Sequence, residues 1–368
     1  LDLDEDAMIL ALNCGSSSLK YALFDRTEVR VLAGEVRGIG VFAEIRTHAH
    51  AVETIFAELG KTRSAALVVV AHRLVHGGPE LHAPTKIDAE TLEKLKRLVH
   101  FAPLHLPSAL AVIEAVQKRR PDVKQLGVFD TDFHWHLPAV ARRLPIPRVL
   151  HDQGIRRYGF HGLSYQFVSH ALGNKLGARA VIAHLGSGSS LTALRDGVSI
   201  DTSMSFTPTS GIPGATRTGD LDPGILLFLA RQGVNADGLE DLVSHRSGLA
   251  GISEVTGDLE KLLALRSNDP RAALAVEHFC MAVRKQIGAL AAALGGLDAL
   301  VFTGGIGAHS SEVRAEICEG LTHLGVTLDS GRNDRGAPVI SEDESRCAVH
   351  MLATDEERVL ARAAFDSS

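Results

Sequence analysis

The chain has 368 residues, of which 45% are hydrophobic, 22% charged and 5% aromatic. That composition excludes a disordered, collagenous or disulfide-scaffold protein, and the length exceeds what one core usually serves, so two domains are expected. A formal net charge of −6 with no basic cluster argues against a nucleic-acid surface, while leaving room for a local positive cleft that takes a small anionic molecule.

In chain order, the opening LDLDEDA is acidic and lacks the basic-then-apolar order of a targeting peptide, so it reads as a lead-in to a strand at Met8. Strand-like runs follow at ILALN, LVVVAHRLV (67–75), LGVFDT (126–131), AVIAHL (180–185) and ALVFTGG (299–305). Helical periodicity marks 89–99, 107–119, 223–233 and 271–294. The alternation is that of an α/β chain with mixed sheets. The apolar region 287–307 is broken by Gly295, Gly296 and Asp298 and reads as helix, turn and strand, not a membrane span. Cys14, Cys280, Cys318 and Cys347 are scattered without a CxxC, which suits reduced thiols in a cytoplasm.

Two stretches echo each other. NCGSSSLKYALFD near the start is matched by LGSGSSLTALRDG at 185–197, aligning Ser17-Ser18-Leu19 with Ser189-Ser190-Leu191. A spacing near half the chain points to duplication of a whole domain, with each lobe carrying a Gly/Ser hairpin. Unlike a P-loop, the first run leads into an alternating strand and has no GKS or GKT. What remains is a hairpin turn offering amides and hydroxyls to phosphate oxygens, or an ordinary serine-rich turn.

Other segments carry charge where charge is costly. Arg73 follows a run of valines and must meet a carboxylate, a ligand anion or open water. APLHLP places His105 before a helix start, a position as well suited to packing as to chemistry. GVFDTDFHWHLP delivers Asp130 at a strand end, where α/β enzymes keep an acid, a base or a metal-linked carboxylate; His134 and His136 lack a third ligand in register. RRYGFHGLS sets Arg156, Arg157 and His161 among glycines, suited to an anion or to a basic turn packed by Tyr158 and Phe160. In TPTSGIPGATRTGDLDPG, Arg217 is either a transition-state arginine or a salt-bridge partner of Asp220. FTGGIGAHSSEVR reads as strand, glycine turn and helix, a geometry for part of a nucleotide. Near the end, Thr354 is a plausible N-cap, and Asp355, Glu356 and Glu357 suit a helix dipole, or one of them a metal.

Taken in order, NCGSSSLKY, AHRLVHGG, APLHLP, VFDTDFH, RRYGFHG, HLGSGSS, DTSMSFTP, ATRTGDLDP, FTGGIG and TDEE closely resemble the acetate kinase family of the acetate and sugar kinase, Hsc70 and actin superfamily. The likeness runs from about Met8 to Arg362. It implies two ribonuclease-H-like, actin-like ATPase lobes, each with a βββαβαβα core: residues 1–133 with a terminal helix at 357–368 packing back, and residues 134–356. It also implies a homodimer that phosphorylates acetate or another short-chain acid from ATP, reversibly, with Mg²⁺ or, as an alternative, Mn²⁺; the thiols, charge and apolar pattern add a cytoplasmic location with no nucleic-acid or membrane partner.

By motif, the resemblance assigns Arg73 and Arg217 to the substrate carboxylate and the phosphoryl group, His161 to that group in the transition state, and Asp130 to orienting the nucleophile. Asn13 and Glu356 would serve the metal. Ser16, Ser18 and Lys20, then His184, Gly186, Ser187 and Gly188, would face phosphates. Asp258, Gly304, Gly305, Ile306 and Gly307 would hold the nucleoside. Val75, Leu104, His105, Phe160 and Pro208 would line a small apolar pocket for the acid. The family's usual asparagine is Ser187 here, and its common Glu-Asn is Ala308-His309. A sugar kinase and a nucleotide-binding protein without turnover are the rival readings.

Overall fold

A computed structural model describes residues 6–15, 17–40 and 45–367. Ser16 lies outside the described residues. The chain divides into two compact units. The first comprises Leu1–Trp135, His161–Phe167 and Asp355–Ser368, and the second His136–Phe160 and Val168–Thr354. Among the described residues no helix is long and apolar enough to cross a membrane.

The first unit is built on a six-stranded sheet. Its strands are β1 (Met8–Cys14), β2 (Ser18–Asp25), β3 (Arg30–Arg37), β4 (Leu67–Leu74), β5 (Thr85–Lys86) and β6 (Lys124–Phe129), in the order β3-β2-β1-β4-β6-β5. β1, β2 and β3 form an antiparallel meander, whereas β1, β4 and β6 run parallel and end on the same edge.

Side chains alternate across a strand, so each strand feeds two cores. One face carries Leu10, Leu12 and Val70 against the helices His48–Ala65 and Leu106–Arg119. The other carries Ile9, Ala11, Val69, Ala71, Leu126 and Val128 against the terminal helix Glu356–Asp366, which contributes Val359, Leu360, Ala361 and Ala364.

The second unit has a five-stranded sheet of β7 (Arg179–His184), β8 (Ser190–Arg195), β9 (Val198–Thr202), β10 (Ala299–Thr303) and β11 (Ala348–Met351), in the order β11-β10-β7-β8-β9. It repeats the first: an antiparallel meander, then parallel strands added on the side of its first strand. Leu19 is the second residue of β2 and Leu191 the second residue of β8, so the sequence echo marks equivalent hairpins. The 25-residue helix Pro270–Leu294 packs its buried stripe, including Val276, Phe279, Val283 and Ile287, on Val181, Ala183, Leu191, Leu300 and Phe302.

His161–Phe167 belongs to the first unit, although the sequence reading ran the second lobe from 134. The reason is local: Gly162 N–H donates to the Asp130 carbonyl at 3.0 Å, and Leu163 joins the core beneath the terminal helix. Glu356, read as the last residue of the second lobe, likewise starts the helix that packs on the first sheet. The glycine turn at 304 is also shorter than read, because a helical segment, Gly304–His309, begins directly after β10 and precedes the helix Ser311–Glu319.

Leu360 is fully buried under the terminal helix. Leu360→Ala is expected to cost about 2–5 kcal/mol by the lost transfer energy and the cavity left behind, read as a lower urea midpoint. A shift within error would show that the helix contributes little to the first unit.

Candidate active site

The first unit gathers a charged cluster by extending its apolar alternation one step. Ile9 and Ala11 are followed on the same face by Asn13, Val69 and Ala71 by Arg73, and Leu126 and Val128 by Asp130. Three parallel strands therefore present a polar group at their carboxyl edge, where open α/β sheets bind ligands. The terminal helix lies on that face, and its capping turn supplies Glu356 and Glu357, with Asp355 as N-cap accepting from Arg358 N–H.

Arg73 is the hub. Its Nε donates to Asp130 Oδ1 and Oδ2 at 3.1 and 3.0 Å, and its Nη2 to Oδ2 at 2.6 Å. Nη1 donates to Asn13 Oδ1 at 3.0 Å and pairs with Glu356 Oε2 at 3.2 Å. The Asn13 amide completes the network by donating to Glu356 Oε2 at 2.9 Å and Glu357 Oε1 at 3.0 Å. Two carboxylates thus pair with one guanidinium, and a third, Glu357, joins them through Asn13.

Asp130 is 1% exposed, and burial pushes its carboxyl up to about 6, opposed by Arg73 and reinforced by Glu356. Burial works against the Arg73 cation, but Asp130, Glu356 and Glu357 outweigh it and hold its pKa above the ordinary value. Such a pair is poor evidence for stability, because desolvation cancels much of the attraction. It does hold a guanidinium and a carboxylate in fixed positions.

His161 is brought to this strand end by its neighbour Gly162, whose N–H donates to the Asp130 carbonyl. Its backbone is left-handed at φ 59°, uncommon for a residue with a side chain and frequent at functional sites. A Cβ on Gly162 would lie 2.2 Å from the Asp130 carbonyl oxygen, so glycine is what lets the His161 segment close onto the strand end. Lys20 is directly opposite Asn13 in the β1–β2 ladder and shares its face. Ser18 begins β2, and its carbonyl accepts from Gly15 N–H at 2.8 Å to close the first hairpin. Val75 and His105 are buried or half-buried and Leu104 is exposed, all in this unit; Phe160, fully buried, and Pro208 belong to the second.

The second unit builds its site around the other hairpin. His184 ends β7, and Gly186 N–H donates to Ser189 Oγ at 3.1 Å while Ser189 Oγ returns a bond to Gly186 O at 3.0 Å. Gly188 completes that turn. Ile306 and Gly307 N–H donate to Leu185 O at 2.9 and 3.2 Å, joining the Gly304–Gly307 turn to the hairpin. Gly304 has φ 78°, and a Cβ there would sit 2.5 Å from Leu185 O; a Cβ on Gly305 would meet nothing within 4 Å, so that side of the turn is open.

The Arg217 loop is tied to the same hairpin. Ala215 N–H donates to Ser187 O at 3.0 Å, and Gly214 N–H to Arg217 O at 3.0 Å. Asp220 accepts from Gly211 N–H at 2.8 Å and closes the loop. Arg217 is half-buried, and burial alone lowers its pKa from the ordinary guanidinium value. Asp258 caps the helix Leu259–Leu265, accepting from Glu260 and Lys261 N–H, and pairs with Lys261 at 3.4 Å.

Two participants were not singled out by sequence. In sequence Glu357 reads with Asp355 and Glu356 as a dipole complement or, for one of the three, a metal group, and it receives a hydrogen bond from Asn13, 344 positions away. Arg314, inside a quoted motif, is 1% exposed and bonds the carbonyls behind the glycine turn; a helical Arg reads as a surface residue, so no sequence signal marked it.

A model of the Acetokinase family matches residues 8–362. The acetate kinase of Rhizobium meliloti is 42% identical over 382 residues, covering 96% of each chain. A propionate kinase of Citrobacter rodentium is 41% identical, covering 96% of this chain and 95% of that one. The crystal structure of a propionate kinase from Francisella tularensis matches with a TM-score of 0.92 at 33% identity, over 97% of this chain and 98% of that one. With a match over nearly its full length, with relatives at this identity, and with both sheets in place, the chain belongs to the acetokinase family.

Proposed function

We propose that the chain transfers the terminal phosphoryl group of ATP to the carboxylate of a short-chain acid, reversibly, giving an acyl phosphate and ADP. Acetate is the first candidate, and propionate the second because one close relative is a propionate kinase. The observation that carries the reading is the Arg73 cluster: a fixed guanidinium at the edge of three parallel strands, held by Asp130 and linked through Asn13 to Glu356 and Glu357.

Phosphoryl transfer spreads charge over equatorial oxygens, so catalysis is mostly positioning and electrostatic stabilisation. Arg73 and Arg217 supply cations, and His161 a hydrogen-bond donor. A carboxylate substrate is ionised at neutral pH and needs no base. Asp130 therefore acts as an orienting group that fixes Arg73. The hairpin amides and hydroxyls of Ser18, Gly186, Ser187 and Gly188, with Lys20 and His184, face phosphate oxygens. Gly304, Gly305, Ile306 and Gly307 form the nucleoside turn, and Asp258 acts there through its helix cap. Val75, Leu104, His105, Phe160 and Pro208 select the acid's alkyl group.

The donor set fits Mg²⁺. It is all oxygen, and its three carboxylates exceed the one guanidinium. Among the described residues no three His, Cys, Asp or Glu side chains form a metal cage, and Mg²⁺ needs none, since it keeps waters and takes one or two carboxylates plus substrate phosphates. Glu356 and the Asn13 carbonyl would hold it, and Mn²⁺ would serve the same set. When bound, the ion neutralises phosphate charge.

We also propose a homodimer in the cytoplasm. The helix Pro223–Arg231 buries none of its residues and exposes Ile225, Leu227 and Phe228 at 42, 58 and 59%, an apolar face that suits a second copy. Four separate buried thiols suit a reducing compartment. Sedimentation should give twice the chain mass, with Phe228→Glu falling to the monomer. A monomeric parent chain would remove this reading.

Purified chain with ATP and Mg²⁺ should yield hydroxylamine-trappable acyl phosphate from acetate or propionate. Arg217→Ala should fold normally and lose about 10²-fold or more in kcat, as expected when a transition-state donor is removed. Near-normal turnover in that variant would reduce the arginine to a loop contact.

The raised Asp130 pKa sets a sign for pH dependence. Protonation removes the acceptor that fixes Arg73, so kcat/KM should fall as pH drops through about 6, above the range where a simple carboxylic acid substrate protonates, about 4. Asp130→Asn should lower kcat/KM at neutral pH and abolish that limb. An unchanged acid limb in Asp130→Asn assigns it to another group.

A further inference from the structure

Arg314 lies in the helix Ser311–Glu319 and is 1% exposed. All four of its hydrogen bonds go to neutral oxygens. Nη1 donates to the carbonyls of Gly307 at 2.9 Å and Ala308 at 3.1 Å, Nε to Asn333 Oδ1 at 2.8 Å, and Nη2 to Asn333 O at 2.9 Å. Asn333 is itself buried and fixed, donating through Nδ2 to Ser311 O at 2.9 Å. Burial lowers the Arg314 pKa from its ordinary value, as expected for a cation taken out of water. Its direct hydrogen-bond partners are all neutral, and the Asp334 carboxylate offsets the burial only in part; burying a cation this way is costly, and an apolar side chain in a helix would avoid that cost.

The placement accounts for the expense. The Gly304–Gly307 turn is fixed in front by Ile306 and Gly307 N–H donating to Leu185 O. At the far end of the segment, a cleft of about 480 Å³ is lined by Ala308, His309, Arg314, Asp334, Arg335 and Met351. Glycines bring no side chains of their own to brace a turn. The guanidinium fork holds the turn by its carbonyls instead, a task for which Arg presents several fixed donors and Lys only one mobile point charge.

We propose that Arg314 is a positioning residue for the nucleotide: it clamps the rear of the Gly304–His309 turn and keeps the turn's open side at Gly305 in the shape that receives the nucleoside. This rests on the nucleotide reading of that turn. Arg314 touches no reacting atom, so its effect falls on nucleotide affinity and leaves the acid site alone. Asn333, which holds the clamp, shares the effect in weaker form.

The test uses the full-length chain, calorimetric ADP titration and steady-state kinetics. The parent is measured first: if it binds no ADP and makes no acyl phosphate, the family-based reading of the site fails before the clamp is tested. In an active parent, Arg314→Lys should raise the ADP Kd and the ATP KM by about tenfold or more, the loss typical of a charge-assisted hydrogen bond. The acid KM should stay within about twofold and kcat fall far less than nucleotide affinity. Asn333→Ala, which keeps the cation and removes one of its acceptors, should shift the ADP Kd in the same direction. Unchanged ADP Kd in folded Arg314→Lys overturns the proposal. So does a parallel rise in the acid KM, which would mark a general loosening of the fold. If Arg314→Lys does not fold, Asn333→Ala decides: a rise in ADP Kd alone supports the clamp, and no rise overturns it.

Discussion

The first unit's chemistry depends on how Arg73 is held. A guanidinium placed after a run of valines on a central strand has little water to satisfy it, and Asp130 meets it with a two-oxygen grip at 2.6–3.1 Å. Removing either partner leaves a buried charge, which is why such pairs are costly to break even when they add little net stability. Asp130 is fixed in turn by its own backbone, since its N–H donates to Leu74 O at 2.9 Å and its carbonyl accepts from Gly162. The guanidinium is therefore located by sheet hydrogen bonds and not by side-chain packing alone.

The cluster also carries more acid than base. Glu356 and Glu357 approach through Asn13 and raise the carboxylate count against a single arginine. Without a ligand that imbalance raises the Asp130 pKa, in addition to the larger effect of burial. In the proposed reaction a hard divalent cation would relieve it. The cost of the excess acid is accepted at the one place where added positive charge is useful.

The second unit reuses the same architecture with different groups. Its meander and parallel strands again bring a hairpin and a strand end together, at Leu185 and Thr303. There the polar work is done mainly by backbone: glycines permit carbonyls and amides to approach at distances that a Cβ would forbid at Gly304, Gly219 and Gly248. A glycine-built surface adapts closely to a ligand but is poorly braced, and Arg314 supplies a brace from behind.

Much of this was legible in the chain itself. A charge after a run of valines marked Arg73, a strand end marked Asp130, and the two Gly/Ser hairpins, the first opening at Asn13, marked a duplicated lobe, because strand runs and turn chemistry are local properties. The order of motifs also placed the chain in its family. Local pattern could not show that Asn13 meets Glu357, that His161–Phe167 joins the first unit through Gly162 and Leu163, or that Arg314 is buried. Each depends on which distant segment covers which strand end, and a helical arginine or a first-turn glutamate looks the same in sequence whether it faces water or a carbonyl. The sequence by itself determined the residue types, the strand ends they occupy and the duplicated plan. Only the tertiary structure decided which groups share a hydrogen bond and which charges are buried, because burial and pairing are set by the packing of segments far apart in the chain.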